Sequence, residues 1–141
     1  MNKDIIRYIC ASLPYGIKIL HESWNYEWDD ELSLVERVVG IDQDFIYTKI
    51  IDTHTGEEYK DDRLPIDTFY DKDDKLYLRP MESMTKEERK EYANLLFADL
   101  GGVKEDYHRS IAYLLENHFD FCNFIEKGYA IDYTTLNIKI Y

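Results

Sequence analysis

Residues Leu32–Asp52 read LSLVERVVGIDQDFIYTKIID, two runs of β-branched and aromatic residues separated by the turn-forming GIDQD of Gly40–Asp44. Branched and aromatic side chains suit a pleated, half-buried backbone, and the turn residues between them break it, so a β-hairpin is predicted. Working outward, IKILHESW (Ile17–Trp24) supplies a further strand upstream, and DTHTGEE (Asp52–Glu58) supplies another turn downstream. The region from Ile17 to about Leu64 therefore reads as an antiparallel meander of three or four strands.

The flanks read as helix. Ile5, Ile6, Ile9, Cys10 and Leu13 fall at helical spacing before LPYG ends the pattern, because the residue before a proline is biased away from helix. After a charged excursion, Leu76–Leu78 forms a short strand and Pro80 stops it. Thr85 and Glu88 then stand as a capping box, which starts a helix at Lys86 with Tyr92, Leu95, Leu96 and Leu100 on its apolar side and Gly101-Gly102 at its end. Met81 and Met84 fill the corner between strand and helix. Ile111, Leu114, Leu115 and Phe119 mark a further helix ending near Asn117, and Asp120 caps a short one that stops at Gly128. In the tail, Leu136, Ile138 and Ile140 alternate with Asn137, Lys139 and Tyr141, the period of a half-buried strand returning to the sheet.

The expected fold is α+β: a small antiparallel sheet of three to five strands, an N-terminal helix, and two to three C-terminal helices packed on one face of the sheet. A compact, barrel-like sheet is the variant. Residues 1–141 make one domain, since a chain of 141 residues buries roughly two-thirds of its unfolded surface in a single core. With 45% hydrophobic residues and thirteen tyrosines, the composition is that of a folded chain. It shows no internal repeat and no linker of domain-separating length.

The 29 acidic and 17 basic residues leave a formal charge of −12, which disfavours direct binding to nucleic-acid phosphates. Cys10 and Cys122 are read as buried free thiols rather than a disulfide framework. The N-terminus lacks the continuous apolar run of a signal peptide, and no stretch approaches the roughly 20 apolar residues of a membrane span. A cytoplasmic location without membrane contact is expected.

Motifs for chemistry are sparse. Among His21, His54, His108 and His118, only His118 shares a helical i, i+4 spacing with a cysteine, Cys122, and two ligands do not make a zinc site. DLGGVKED (Asp99–Asp106) lacks the preceding strand and the Lys-Ser/Thr ending of a phosphate-binding loop, and reads as a helix break. Carboxylates abound in EWDDE (Glu27–Glu31), where a run of adjacent acids reads as a solvated loop and departs from the calcium-loop pattern. No catalytic residue, cofactor or metal ligand is predicted.

One segment is unusual. Between Glu22 and Asp44, eight acids (Glu22, Glu27, Asp29, Asp30, Glu31, Glu36, Asp42 and Asp44) face one base, Arg37, and Trp24, Tyr26 and Trp28 alternate within WNYEW. In an extended backbone the three rings line one face. Such rings either cover the core as an ordinary strand or, set beside carboxylates, form a protein-binding surface. Trp24, Tyr26, Trp28, Asp29, Asp30 and Glu31 are therefore candidate partner-binding residues. Arg79, which has no structural assignment in the strand-to-helix joint, joins them.

Three phrases carry a resemblance: SLPYGIKI (Ser12–Ile19), LYLRPMESMTKEE (Leu76–Glu88) and HFDFCNFIEKGYAID (His118–Asp132). Their order and spacing resemble a group of small uncharacterised proteins encoded by bacteriophages, prophages and mobile elements of gut anaerobes. The resemblance spans most of the chain and implies a mobile-element origin and the cytoplasm of a host cell, with no residue roles to carry over. The expected function is then that of a non-enzymatic acidic accessory protein that binds a host or phage protein, including by mimicking nucleic acid. The alternatives are a virion or assembly component and, further off, a small enzyme or ligand-binding module.

Overall fold

The alternating apolar pattern becomes four consecutive antiparallel strands: β1 (Lys18–Asn25), β2 (Asp30–Ile41), β3 (Phe45–Ile51) and β4 (Glu58–Pro65). The computed structural model describes residues 3–25, 30–100 and 109–141, with backbone alone for 23–25, 30–32 and 100. Aspartates hold the turns. The Asp42 carboxylate accepts the Asp44 and Phe45 amides at 2.8 Å, and Asp52 accepts the His54 amide at 2.8 Å.

On the other side of β1 lies β5 (Lys75–Pro80), antiparallel through Ile19–Leu76 and Leu20–Lys75. Two short strands then pair with β5 in parallel: β6 (Phe119–Asp120) and β7 (Ala130–Asp132). The result is a seven-stranded mixed sheet, larger than the expected three to five strands and not wholly antiparallel. The α+β class and the meander hold. The two short additions escaped notice because two or three residues carry no readable period.

One sheet face presents Ile17, Ile19, Val38, Ile46, Leu64, Leu76 and Leu78 to the helices. Against them pack Ile5, Tyr8 and Ile9 of α1 (Lys3–Ser12), Phe69 of α2 (Asp67–Tyr70), Leu115 of α4 (Arg109–Glu116) and Phe124 of α5 (Phe124–Lys127). Each such side chain contributes about 1.5–3 kcal/mol by leaving water. Because α1 buries Ile5, Tyr8, Ile9 and Ser12, Cys10 falls on its outer side and is exposed, while Cys122 is half-buried. The expectation of two buried thiols is corrected accordingly.

The opposite face holds Val35, Tyr77 and Ile140, with Leu20, Ile51, Ile131 and Tyr141 around them. The tail lies here, yet not as the predicted strand: residues 136–141 carry no strand assignment, and Leu136 and Ile138 remain exposed. Only its end is anchored. The Lys18 amide donates to the Tyr141 hydroxyl at 2.8 Å, and that hydroxyl donates to the Tyr77 carbonyl at 3.0 Å, bridging β1 and β5 beyond their two paired positions.

α3 (Lys86–Leu100) begins at the predicted capping box, with the Thr85 amide on Glu88 Oε1 at 3.0 Å and the Glu88 amide on Thr85 Oγ1 at 3.1 Å. Its inward stripe is narrow, Glu88, Tyr92, Leu95 and Asp99 being half-buried while Leu96 and Phe97 face out. The Gly101-Gly102 break lies outside the described residues. Met84 packs with Leu114 and Phe119, Met81 beside them, in the corner assigned to both methionines. The α4 helix ends before Phe119, which belongs to β6, because His118 adopts a left-handed conformation (φ 60°) that turns the chain. His118 and Cys122 consequently share no helix. The Asp120 carboxylate accepts the Phe124 and Ile125 amides at 2.8 Å, so it caps α5 as expected, and Gly128 (φ 87°) ends that helix.

Candidate functional site

A row of polar side chains crosses the helix-covered sheet face at the edge of the core. Strand register sets it, since directly opposed residues of an antiparallel pair point to the same side. Ile19 opposes Glu36, Val38 opposes Thr48, and Thr48 opposes Asp62, so Glu36, Thr48 and Asp62 share the face of Ile19 and Val38. His21, two residues beyond Ile19 on β1, points the same way. One donor atom each from His21, Glu36 and Asp62 lie within 4.8 Å of one another.

His21 and Glu36 are held from behind. His21 Nδ1 lies 2.7 Å from Asp74 Oδ1, and the Thr68 hydroxyl donates to the other Asp74 oxygen. Asp74 is almost completely buried just ahead of β5. The Thr48 hydroxyl donates to Glu36 Oε1 at 2.7 Å, whereas Glu36 Oε2, in a fully buried side chain, meets no donor. A buried carboxylate oxygen without a donor is costly and calls for a proton or a cation. Burial, with the Asp62 carboxylate beside it, pushes Glu36 up to about 7, against the pull of the Thr48 hydroxyl. The bond to Asp74 raises the His21 imidazole above its ordinary value, against the burial that lowers it. A cleft of about 460 Å³ lined by His21, Thr68, Asp74 and Lys75 opens on this corner.

The candidate partner-binding residues lie elsewhere. The β1–β2 pairing runs on from Glu22–Ser33 to Asn25–Asp30, past the last residues paired with β5 (Leu20) and β3 (Val35). Trp24 opposes Glu31 on this two-stranded ribbon and Asp30 opposes Asn25, while Tyr26, Trp28 and Asp29 lie outside the described residues. Arg37, the one base of the acidic segment, pairs with Glu58 across the sheet, its Nη2 3.0 Å from Oε2. Glu36 leaves the run altogether, since it points inward.

Arg79 sits in the strand-to-helix joint, 17% exposed. Its guanidinium donates to both Glu88 oxygens at 2.9 Å and to Ser83 at 3.0 and 3.1 Å, and it lies 4.2 Å from the Phe119 ring centre. The structural assignment that the sequence withheld is therefore a two-pronged clamp from β5 to α3.

His21, Glu36, Asp62 and Asp74 were missed because they are scattered over more than fifty residues. A signal existed in the period-two pattern: His21, Glu36, Thr48 and Asp62 each occupy an inward-facing slot otherwise filled by Ile17, Ile19, Val38, Ile46, Ile50 and Leu64. Compared with protein-family models, with curated proteins and with solved structures, the chain gives no significant match. Among the described residues no helix is long and apolar enough to cross a membrane.

Proposed function

We propose that this chain is a non-enzymatic acidic accessory protein that binds a basic protein surface through the β1–β2 ribbon. The observation that supports this reading is the ribbon's course beyond both flanking strands while carrying the most acidic part of the chain. Glu22–Glu31 holds five acids and no base, and the next base downstream, Arg37, is already committed to Glu58. Unbalanced charge of this kind steers a basic partner and speeds its association. Tryptophans among the acids add rigid contact area.

Consistent with the resemblance to phage and mobile-element proteins, the partner is a host or phage protein. The chemistry that fits it is a surface built for phosphates, which an acidic ribbon imitates. The test is capture of host-lysate proteins on the immobilised chain at low and moderate salt, followed by competition with duplex DNA. A captured basic protein should be released by DNA and should bind the Asp29→Asn/Asp30→Asn/Glu31→Gln variant at least tenfold more weakly. Unchanged affinity in that variant removes the ribbon from the contact.

A further inference from the structure

The polar row raises a question independent of the ribbon: what satisfies Glu36. The fully buried Glu36 side chain keeps one oxygen without a donor, next to a second carboxylate and an imidazole. With Nδ1 committed to Asp74, the ring nitrogen of His21 left for another partner is Nε2. A carboxylate on the far nitrogen is the usual support of a metal-bound histidine, fixing its tautomer and strengthening its donor nitrogen. Asp74 is itself fixed by Thr68, and Thr48 anchors the other oxygen of Glu36.

We propose that His21, Glu36 and Asp62 form a binding site for one divalent first-row transition ion, with Asp74 as the residue that positions the imidazole. The donor set decides the class of ion. One nitrogen and two carboxylates suit zinc, manganese or iron, whereas calcium takes six to eight oxygens and magnesium keeps most of its waters. Around one such ion, donors at about 2.0–2.2 Å stand about 3–3.5 Å apart, so the three side chains draw together by about 1 Å or a little more on binding. His21, Glu36 and Asp62 come from three strands of one sheet, β1, β2 and β4 with β3 between the last two, so the frame is rigid and only rotamers have to adjust. Two positive charges offset two carboxylates, and the remaining coordination position is left for water. His21 and Asp62 are both only half-buried, so their side of the site is open to solvent.

The experiment uses the full chain freed of metal by a chelator and titrated with Zn²⁺, Mn²⁺ and, as an optical probe, Co²⁺, with Ca²⁺ and Mg²⁺ as controls. One equivalent of a transition ion should bind, Co²⁺ should show d–d absorption, and Tm should rise by about 5–10 °C at a hundredfold excess over Kd. His21→Ala and Glu36→Gln should each abolish that uptake while circular dichroism shows a folded chain, and Asp74→Asn should weaken it by roughly 10–100-fold. Uptake that persists in Glu36→Gln would mean an adventitious ion at the remaining histidines or at the cysteines, and would overturn the site. So would the failure of every ion to bind at millimolar concentration, which would leave a proton shared by Glu36 and Asp62. The Asp29/Asp30/Glu31 ribbon variant should take up the ion unchanged, so the two proposals fail separately.

Discussion

Two of the places where this fold draws ionisable side chains out of water do it in opposite ways. At the joint between β5 and α3, one carboxylate and one guanidinium satisfy each other: Glu88 takes two donors from Arg79 and one from the Thr85 amide, and Arg79 gives two more donors to Ser83. In the row across β1, β2 and β4, the carboxylates outnumber the donors and Glu36 keeps an oxygen unmet. Charge that closes on itself holds a structure together. Charge left open is a place where something else can bind.

The sharpest way to break that contrast is Arg79→Ala, which strips a mostly buried Glu88 of its counter-ion and unhooks α3 from the sheet. A loss of about 3 kcal/mol is expected by urea denaturation. A loss below about 1 kcal/mol would show that the joint holds without its clamp, and would return Arg79 to the set of residues free for a partner. A smaller effect of the opposite sign is expected for Glu36→Gln in metal-free protein, where the new amide can donate toward Asp62. The gain should be about 1 kcal/mol, and a destabilisation of that size would mean the carboxylate already has all it needs.

Smallest in free energy, but most direct, is the splitting of two histidines. Burial beside Lys18 and Arg79 holds His118 down to about 4, while Asp74 lifts His21 above its ordinary value of 6.5. Ring-proton NMR of the metal-free chain should show His21 titrating above pH 6.5 and His118 still neutral at pH 5. The sign of the His118 effect follows. Between the unfolded value near 6.5 and the folded value near 4 the unfolded chain binds more protons, so this residue's contribution to stability is present above pH 6.5 and is lost as pH falls toward 4. Between pH 7 and pH 6 the loss should stay under about 1 kcal/mol.

The joint was legible where its chemistry is local, and not at Arg79, whose partner Glu88 lies nine residues further on. Thr85 and Glu88 stand three residues apart, Pro80 forbids the strand to continue, and the hairpin around GIDQD announces itself within a dozen residues. The polar row could not be read that way, because Glu36 reads as one more acid in an acidic segment until β2 is registered against β1 and β3. The tail misled for a related reason. Leu136, Ile138 and Ile140 have the period of a strand, but the chain just before them, Ala130–Asp132, already pairs with β5, and the tail crosses the opposite sheet face with Ile140 alone turned in. Of the candidate ribbon residues, the alternation that singled them out coincides with strand pairing through Asn25 and Asp30.

The hydroxyl of Tyr141 bridges β1 and β5 through a bond to Lys18, 123 positions away along the chain, and its ring stacks on His118 at 3.6 Å. In time rather than space, this ties a local, early-forming strand to a contact that forms late. The meander can zip from turns of a few residues, but this bridge across the seam between β1 and β5 forms only when residues more than a hundred positions apart meet. Contacts of such long sequence separation carry a large loop-closure cost and slow the search for the native state. Tyr141 is therefore the latch on that seam.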